Sequence, residues 1–206
     1  MALLRYTRTN DELSHEQQQQ LLKIARQSIE YGCEHGARLQ ADHLLYYPAS
    51  LTNIGCCFVT LTAPQAKGAY ELRGCIGSLT ASQPLLKDVV EHAYAAAFQD
   101  SRFPPVTTSE VAHLHIEISV LSPQQPLQFR NEAELLKQLQ PHKDGLAIEY
   151  DGRRATFLPS VWAQLSEPAE FLGKLKQKAG FADDFWSSEL RAYRYSCQSF
   201  EEGKTT

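Results

Sequence analysis

Long apolar runs are missing from these 206 residues. Nowhere do enough consecutive hydrophobic side chains stand together to cross a bilayer, and residues 1–10 hold no apolar stretch of signal-peptide length. A basic excess is missing as well: 20 Lys and Arg face 24 Asp and Glu, a formal net charge of −4, so no global positive field exists to hold duplex nucleic acid. Cysteine is scarce. Cys33, Cys56, Cys57, Cys75 and Cys197 are odd in number and irregular in spacing, which argues against a disulfide framework and for reduced thiols in the cytoplasm. Cys56 and Cys57 are adjacent rather than two residues apart, so they form neither the usual redox pair nor half a zinc knuckle, and strand alternation places one of them in the core. There is no phosphate-binding glycine loop, no Gly-x-Ser-x-Gly elbow and no dinucleotide fingerprint, and no cofactor is expected.

What is present suits an ordinary soluble globule: 43 % hydrophobic and 21 % charged residues, with nine Tyr and nine Phe. One folding unit over 1–206 is expected, with a polar lead-in over 1–14 and a flexible tail over 200–206. Ser14 and Gln17 read as a capping box, opening a helix with Leu21, Leu22, Ala25, Ile29 and Cys33 at helical spacing and Gly36 as its stop. Residues 54–62 and 70–78 read as strands joined by a loose loop over 63–68. Ser82 is expected to cap a helix beginning near Pro84 and carrying Val89, His92, Ala93, Ala96 and Ala97. The two prolines at 104 and 105 force an extended loop. Residues 113–121 give the cleanest strand pattern, with Leu114, Ile116, Ile118 and Val120 on one face and His113, His115, Glu117, Ser119 and Leu121 on the other. Asn131 caps a short helix through Leu139, strands over 146–150 and 154–158 flank Asp151-Gly152, and Pro159 and Pro168 each start a helix. A final strand runs over 190–200. Together these elements predict an α+β protein, a mainly antiparallel sheet with helices packed on it.

The block Leu72-Arg73-Gly74-Cys75-Ile76-Gly77 concentrates the chemistry. Side chains at i and i+2 of a strand share a face, so Arg73 and Cys75 are expected to project together, and a cation beside a thiol lowers its pKa. Gly74 and Gly77 remove side chains where another group must approach the backbone. The opposing interpretation is an inert cysteine buried in a sheet, its glycines marking a bulge. Arg102 stands on the proline-bounded loop, and Glu117 and Ser119 share the polar face of their strand. If these faces line one cleft, it holds a thiol, two guanidinium groups and a carboxylate. Such a set either binds an anion and activates the sulfur, or leaves Glu117 simply paired with an arginine. His92 and His115 are the imidazoles available to Cys75. His113 and His115 lack a third ligand at a recognisable spacing, so they read as surface histidines, and no metal site is expected.

Three of these segments, Leu72-Arg-Gly-Cys-Ile-Gly77, Asp100-Ser-Arg-Phe-Pro-Pro105 and Glu117-Ile-Ser-Val-Leu-Ser122, resemble in order the signature blocks of the AMMECR-one domain family. Asp144-Gly145-Leu146, Leu158-Pro-Ser-Val161, Phe171-Leu172 and Lys178-Ala-Gly180 are similar to its later blocks, so the resemblance covers nearly the whole chain. It implies an α+β fold with a larger and a smaller lobe and a cleft beside the arginine and cysteine block. It also implies two partners, a Memo-like protein and a radical S-adenosylmethionine enzyme, encoded with it as a three-part set named AmmeMemoRadiSam. It names no reaction, since a fold does not carry one. The expectation is therefore a cytoplasmic, cleft-bearing ligand-binding or thiol-dependent domain. Cys75 and Glu117 are its candidate catalytic residues, and Arg73, Gly74, Gly77, Arg102 and Ser119 are its candidate contacts to a small or peptide-borne anion. In that scheme Arg73 tunes the thiol, Arg102 holds the anion, and Glu117 orients an arginine or acts as the base. The alternative is a non-catalytic adaptor or substrate of the same system, and nucleic-acid binding is the least expected outcome.

Overall fold

A computed structural model describes residues 12–40, 47–65 and 69–203. In chain order its elements are α1 (His15–His35), α2 (Ala49–Thr52), β1 (Ile54–Gly55), β2 (Cys57–Pro64), β3 (Tyr70–Gly77), β4 (Gln83–Pro84), α3 (Leu85–Phe98), α4 (Thr108–Val111), β5 (His115–Leu121) and β6 (Gln125–Pro126). Then follow α5 (Glu132–Leu136), β7 (Gly145–Tyr150), β8 (Arg153–Phe157), a 3-10 turn (Pro159–Ala163), α6 (Pro168–Lys178), β9 (Arg191–Tyr195) and β10 (Cys197–Glu201). This is an α+β fold in which the pairs β1–β4, β2–β3, β2–β5, β6–β9, β7–β8 and β7–β9 are antiparallel. The chain divides into two compact units, Met1–Leu121 with Gln198–Thr206, and Ser122–Cys197. Among the described residues no helix is long and apolar enough to cross a membrane.

In the first unit the sheet runs β10-β5-β2-β3. Alternation along β2 turns Cys57, Val59 and Leu61 to one face, where they meet Ile116 and Ile118 of β5 and the apolar stripes of α1 and α3. The capping box forms as expected: the Ser14 hydroxyl accepts from the Gln17 amide, and the Gln17 side chain accepts from the Ser14 amide at 2.8 Å. Gly36 ends α1 in the left-handed region at φ 64°. The Ser28 hydroxyl donates to the Val90 carbonyl at 2.8 Å, tying α1 to α3 where both are buried.

Several boundaries depart from the sequence pattern. The strand expected over 54–62 breaks at Cys56, because Ile54 and Gly55 pair with Pro84 and Gln83 while β2 begins at Cys57. That same pairing draws Gln83 and Pro84 into a ladder, so α3 starts at Leu85 without a side-chain cap, and Ser82 does not cap it. The Leu85 amide donates instead to the Asn53 carbonyl at 2.9 Å. Both Cys56 and Cys57 are buried, where one was expected. The ends are also better tied than expected. Leu13 is buried with its amide on Gln198 Oε1 at 2.8 Å, Phe200 joins the core, and Glu202 receives a two-pronged ion pair from Arg26. Residues 1–11 of the expected lead-in, 66–68 of the expected loop and 204–206 of the expected tail lie outside the described residues.

In the second unit the sheet runs β6-β9-β7-β8. Asp151 at φ 49° and Gly152 at φ 72° make the two-residue turn between β7 and β8, as their Asp-Gly sequence predicts. The core centres on Trp162 stacked on Phe171 with centroids 3.7 Å apart, and the indole donates to the Asp144 carbonyl at 2.7 Å. Lys176 is fully buried, and its ammonium donates to Glu132 Oε2 at 2.7 Å and to the Asp183 carbonyl at 3.1 Å. The strand expected over 190–200 is two strands, β9 in this sheet and β10 in the other, separated at Ser196.

One glycine is required by a close approach. A Cβ on Gly74 would stand 2.1 Å from the Ala96 carbonyl oxygen, so α3 can lie against β3 only without a side chain there. Gly173, inside α6, has open space around it. Gly74→Ala should therefore lower unfolding stability by about 2 kcal/mol or more through overpacking. Gly173→Ala should raise it by about 0.5–1 kcal/mol through backbone entropy. Urea midpoints of the two variants test this, and equal midpoints would contradict the packing described.

Candidate active site

Cross-strand partners share a face, and Thr60 lies opposite Cys75 on one side and Glu117 on the other. Phe58 likewise lies opposite Gly77 and Ser119, and Thr62 opposite Leu72 and His115. These residues alternate with Val59 and Leu61, which face the helices, so Cys75, Thr60 and Glu117 form a row on the face of the sheet turned away from α1 and α3. Glu117 and Ser119 share that face, as the sequence predicts. The Cys75 sulfur is half-buried and 3.3 Å from the Thr60 hydroxyl oxygen.

Arg73 does not join the row. The register passes from Leu72 opposite Thr62 directly to Gly74 opposite Leu61, leaving Arg73 as the extra residue of a bulge. Its guanidinium turns to Glu110 of α4, with Nε donating to Oε1 at 2.8 Å and Nη2 to Oε2 at 3.3 Å. Glu110 also accepts from the Thr107 amide and hydroxyl at 2.8 Å each, closing the capping box of α4. These bonds, Arg73 foremost, hold the Glu110 carboxyl down at about 2 despite partial burial. The remaining nitrogen, Arg73 Nη1, is buried without a partner. Arg73 is thus committed to an ion pair, and the thiol-tuning role expected for it fails because the bulge cancels the i, i+2 rule.

The arginine beside Cys75 is Arg102. Its Nη2 donates to the Cys75 carbonyl at 3.3 Å, while Nε and Nη2 grip Asp100 at 2.9 and 2.6 Å. Asp100, buried just after α3, accepts from the Cys75 amide at 2.9 Å. Bonds from Arg102 first, and then from the Cys75 and Arg102 amides, hold this carboxyl far below the usual range against the opposing effect of burial. Cys75 therefore spends its amide and carbonyl on this clamp rather than on β2, which makes Thr60 and Cys75 a non-hydrogen-bonded pair with closely spaced side chains. The Arg102 side chain is 53 % exposed. Its Nη1 has no partner among the described residues. Asp100 was missed from sequence, although its position two residues before Arg102 was the available sign.

The glycines are structural. The room left by Gly74 is filled by Ala96, and a Cβ on Gly77 would lie 2.3 Å from the Phe58 ring, so neither opens space for a ligand. Among the described residues no arginine pairs with Glu117. Burial first, and then Glu201, push the Glu117 carboxyl above its ordinary value, against smaller opposing effects of His115 and Ser119. Ser119 is buried with its hydroxyl 2.8 Å from that of Ser199. His115 places Nε2 2.6 Å from the Glu202 carbonyl and its ring edge-on to Tyr70. His92 lies with Cys57 and Asp88, so neither histidine considered for Cys75 is its partner in the structure.

A sequence profile of the AMMECR1 family matches residues 22–200. The chain belongs to the AMMECR1 family. A relative from Thermofilum pendens is 36 % identical over 197 residues, covering 92 % of each chain. Protein MJ0810 from Methanocaldococcus jannaschii is 37 % identical over 158 residues, covering 76 % of this chain and 77 % of its own. The crystal structure of the uncharacterized protein PH0010 from Pyrococcus horikoshii superposes with a TM-score of 0.79 at 30 % identity, covering 88 % of this chain and 89 % of that one. The fold is therefore that of AMMECR1 proteins, and both clamp residues and the row itself fall inside the matched segment.

Two outcomes follow from the carboxyls. Glu110 has a depressed folded pKa, so its ion pair contributes stability above the unfolded value near 4.5 that is lost as pH falls toward about 2. Glu110→Gln should remove that slope in denaturant midpoints, and an unchanged slope would refute the pairing. Glu117 is the reverse case: its raised folded pKa means ionisation opposes folding, so Glu117→Gln should raise the thermal midpoint at pH 8 but not at pH 4. No gain at pH 8 would show that the carboxyl carries no such burden.

Proposed function

We propose that this chain is a thiol-bearing ligand-binding domain whose working face is the row of Cys75, Thr60 and Glu117, with Arg102 at its rim. The observation that supports this most is the setting of Cys75: its backbone is fastened on one side by Asp100 and Arg102 while its half-buried sulfur faces the Thr60 hydroxyl. A nucleophile held this way keeps a fixed position while only partly buried. The other thiols of this unit are worse placed. Burial pushes Cys56 up to about 12, Cys57 well above the ordinary range, and Cys33 upward. Arg102, with a free edge, offers a fixed donor to a small or peptide-borne anionic group. Glu117 holds its proton to a higher pH than an ordinary glutamate and stands on the far side of Thr60, as a proton reservoir rather than a direct partner of the sulfur. By family resemblance, the domain acts in the cytoplasm with a Memo-like protein and a radical S-adenosylmethionine enzyme.

A second reading, a non-catalytic adaptor or substrate for those partners, is favoured by Tyr70 and Leu72. They are the large hydrophobic side chains exposed on β3, at 38 % and 43 %. That reading expects co-purification to survive Cys75→Ser and to be lost with Leu72→Lys. Iodoacetamide labelling followed by peptide mass spectrometry tests the first. Cys75 should be alkylated at pH 7.5 well before Cys33, Cys56 or Cys57. A Cys75 that stays unlabelled while Cys33 reacts would rule out a working thiol.

A further inference from the structure

Asp88 and His92 stand at i and i+4 on α3, on the face that meets the start of β2. Cys57 opens that strand and points at them. His92 Nδ1 is 3.0 Å from Asp88 Oδ2 and 3.9 Å from Cys57 Sγ, and one ligand atom from each residue lies within 4.8 Å of the other two. Cys57 and Asp88 are buried, while the His92 side chain is 14 % exposed. The row around Cys75 uses none of these side chains, and Cys57 faces the helices rather than the row.

We infer that Cys57 Sγ, Asp88 Oδ2 and His92 Nδ1 form a binding site for one divalent cation of the zinc class. Two atoms can ligate one ion only if they stand closer than the sum of their bonds to it. That sum is roughly 4.4 Å for sulfur with nitrogen and roughly 4.2 Å for nitrogen with oxygen. Separations of 3.9 and 3.0 Å meet both conditions. The supporting contacts are also those of a metal site. Asp88 Oδ1 accepts from Gln83 Nε2 at 3.2 Å and Oδ2 from the Cys57 backbone amide at 2.9 Å, so both carboxylate oxygens are oriented, one of them by a residue outside the cluster. Gln83 Nε2 is itself anchored on Glu91 Oε2 at 2.9 Å.

Charge and ligand type agree. A thiolate and a carboxylate together offset a divalent ion, and a mixed sulfur, nitrogen and oxygen set suits zinc over magnesium or calcium. Burial, and then the Asp88 charge, keep the thiol protonated in the absence of a cation. On binding, the S–H bond breaks, its proton leaves to solvent, and the freed electron pair forms the metal–sulfur bond. His92 ligates through Nδ1 with its proton on Nε2, and nothing is oxidised or reduced. Three protein ligands leave the fourth tetrahedral position to water or an added ligand. The competing arrangement is a plain buried hydrogen-bond cluster in which His92 donates to Asp88 and Cys57 only fills space.

The full chain, stripped with chelator and titrated with Co2+ and then Zn2+, separates the two. The site requires one equivalent of Co2+ with a thiolate-to-metal charge-transfer band, displaced by Zn2+, and a higher thermal midpoint with Zn2+. Cys57→Ser should abolish the band, and His92→Gln should weaken binding at least about tenfold. Cys75→Ser should bind as the natural chain does. Absence of stoichiometric binding, or of the band, in the natural chain would overturn the site whether or not any variant folds. A band lost in Cys75→Ser and kept in Cys57→Ser would overturn it too.

Discussion

The close approach of α3 to β3 governs the chemistry of the first unit. It depends on Gly74, whose missing side chain lets the Ala96 carbonyl come within what would be 2.1 Å of a Cβ. With the helix seated there, its C-terminal end delivers Asp100 to the Cys75 amide at 2.9 Å, and Asp100 in turn fixes Arg102. Four residues earlier along the same helix than Ala96, His92 is set beside Cys57 with Asp88. One packing constraint therefore positions both thiol environments. The bulge at Arg73 is part of the same arrangement, since it lets Gly74 face the helix and Cys75 face away, while sending the guanidinium to Glu110.

Two cysteines of adjacent strands thus end on opposite faces of the sheet with different neighbours. Cys57 is sealed on the helix side beside a carboxylate, where a thiolate is disfavoured unless a cation replaces its proton. Cys75 lies on the other face with a hydroxyl in front and a guanidinium on its carbonyl. The sheet separates them, because Cys57 shares the helix-facing side with Val59, Leu61 and Ile118 while Cys75 lies on the other face. Glu117 departs from a stability optimum, because burying a carboxyl beside Glu201 works against folding.

Local signals were read well from sequence. The capping box at Ser14 and Gln17, the alternation from Leu114 to Ile118, the Asp151-Gly152 turn and the Asn131 cap all depend on neighbours within a few residues, and each is in the structure. Non-local signals were not. The bulge at Arg73 is a matter of register with β2, invisible in β3 alone, and it reversed the pairing of Arg73 with Cys75. Asp100 reaches Cys75 across 25 residues and His92 reaches Cys57 across 35, so no spacing rule could join them. The split at Ser196 was hidden because both flanking segments have ordinary strand composition, and only their partners differ.

The Asp100 and Arg102 clamp has one more effect. β3 is the outermost strand of its sheet, and an unpaired strand border is a template for joining to another molecule. By occupying both peptide groups of Cys75, the two side chains interrupt that template midway. The residues that hold the thiol in place therefore also break the run of open peptide groups along this border.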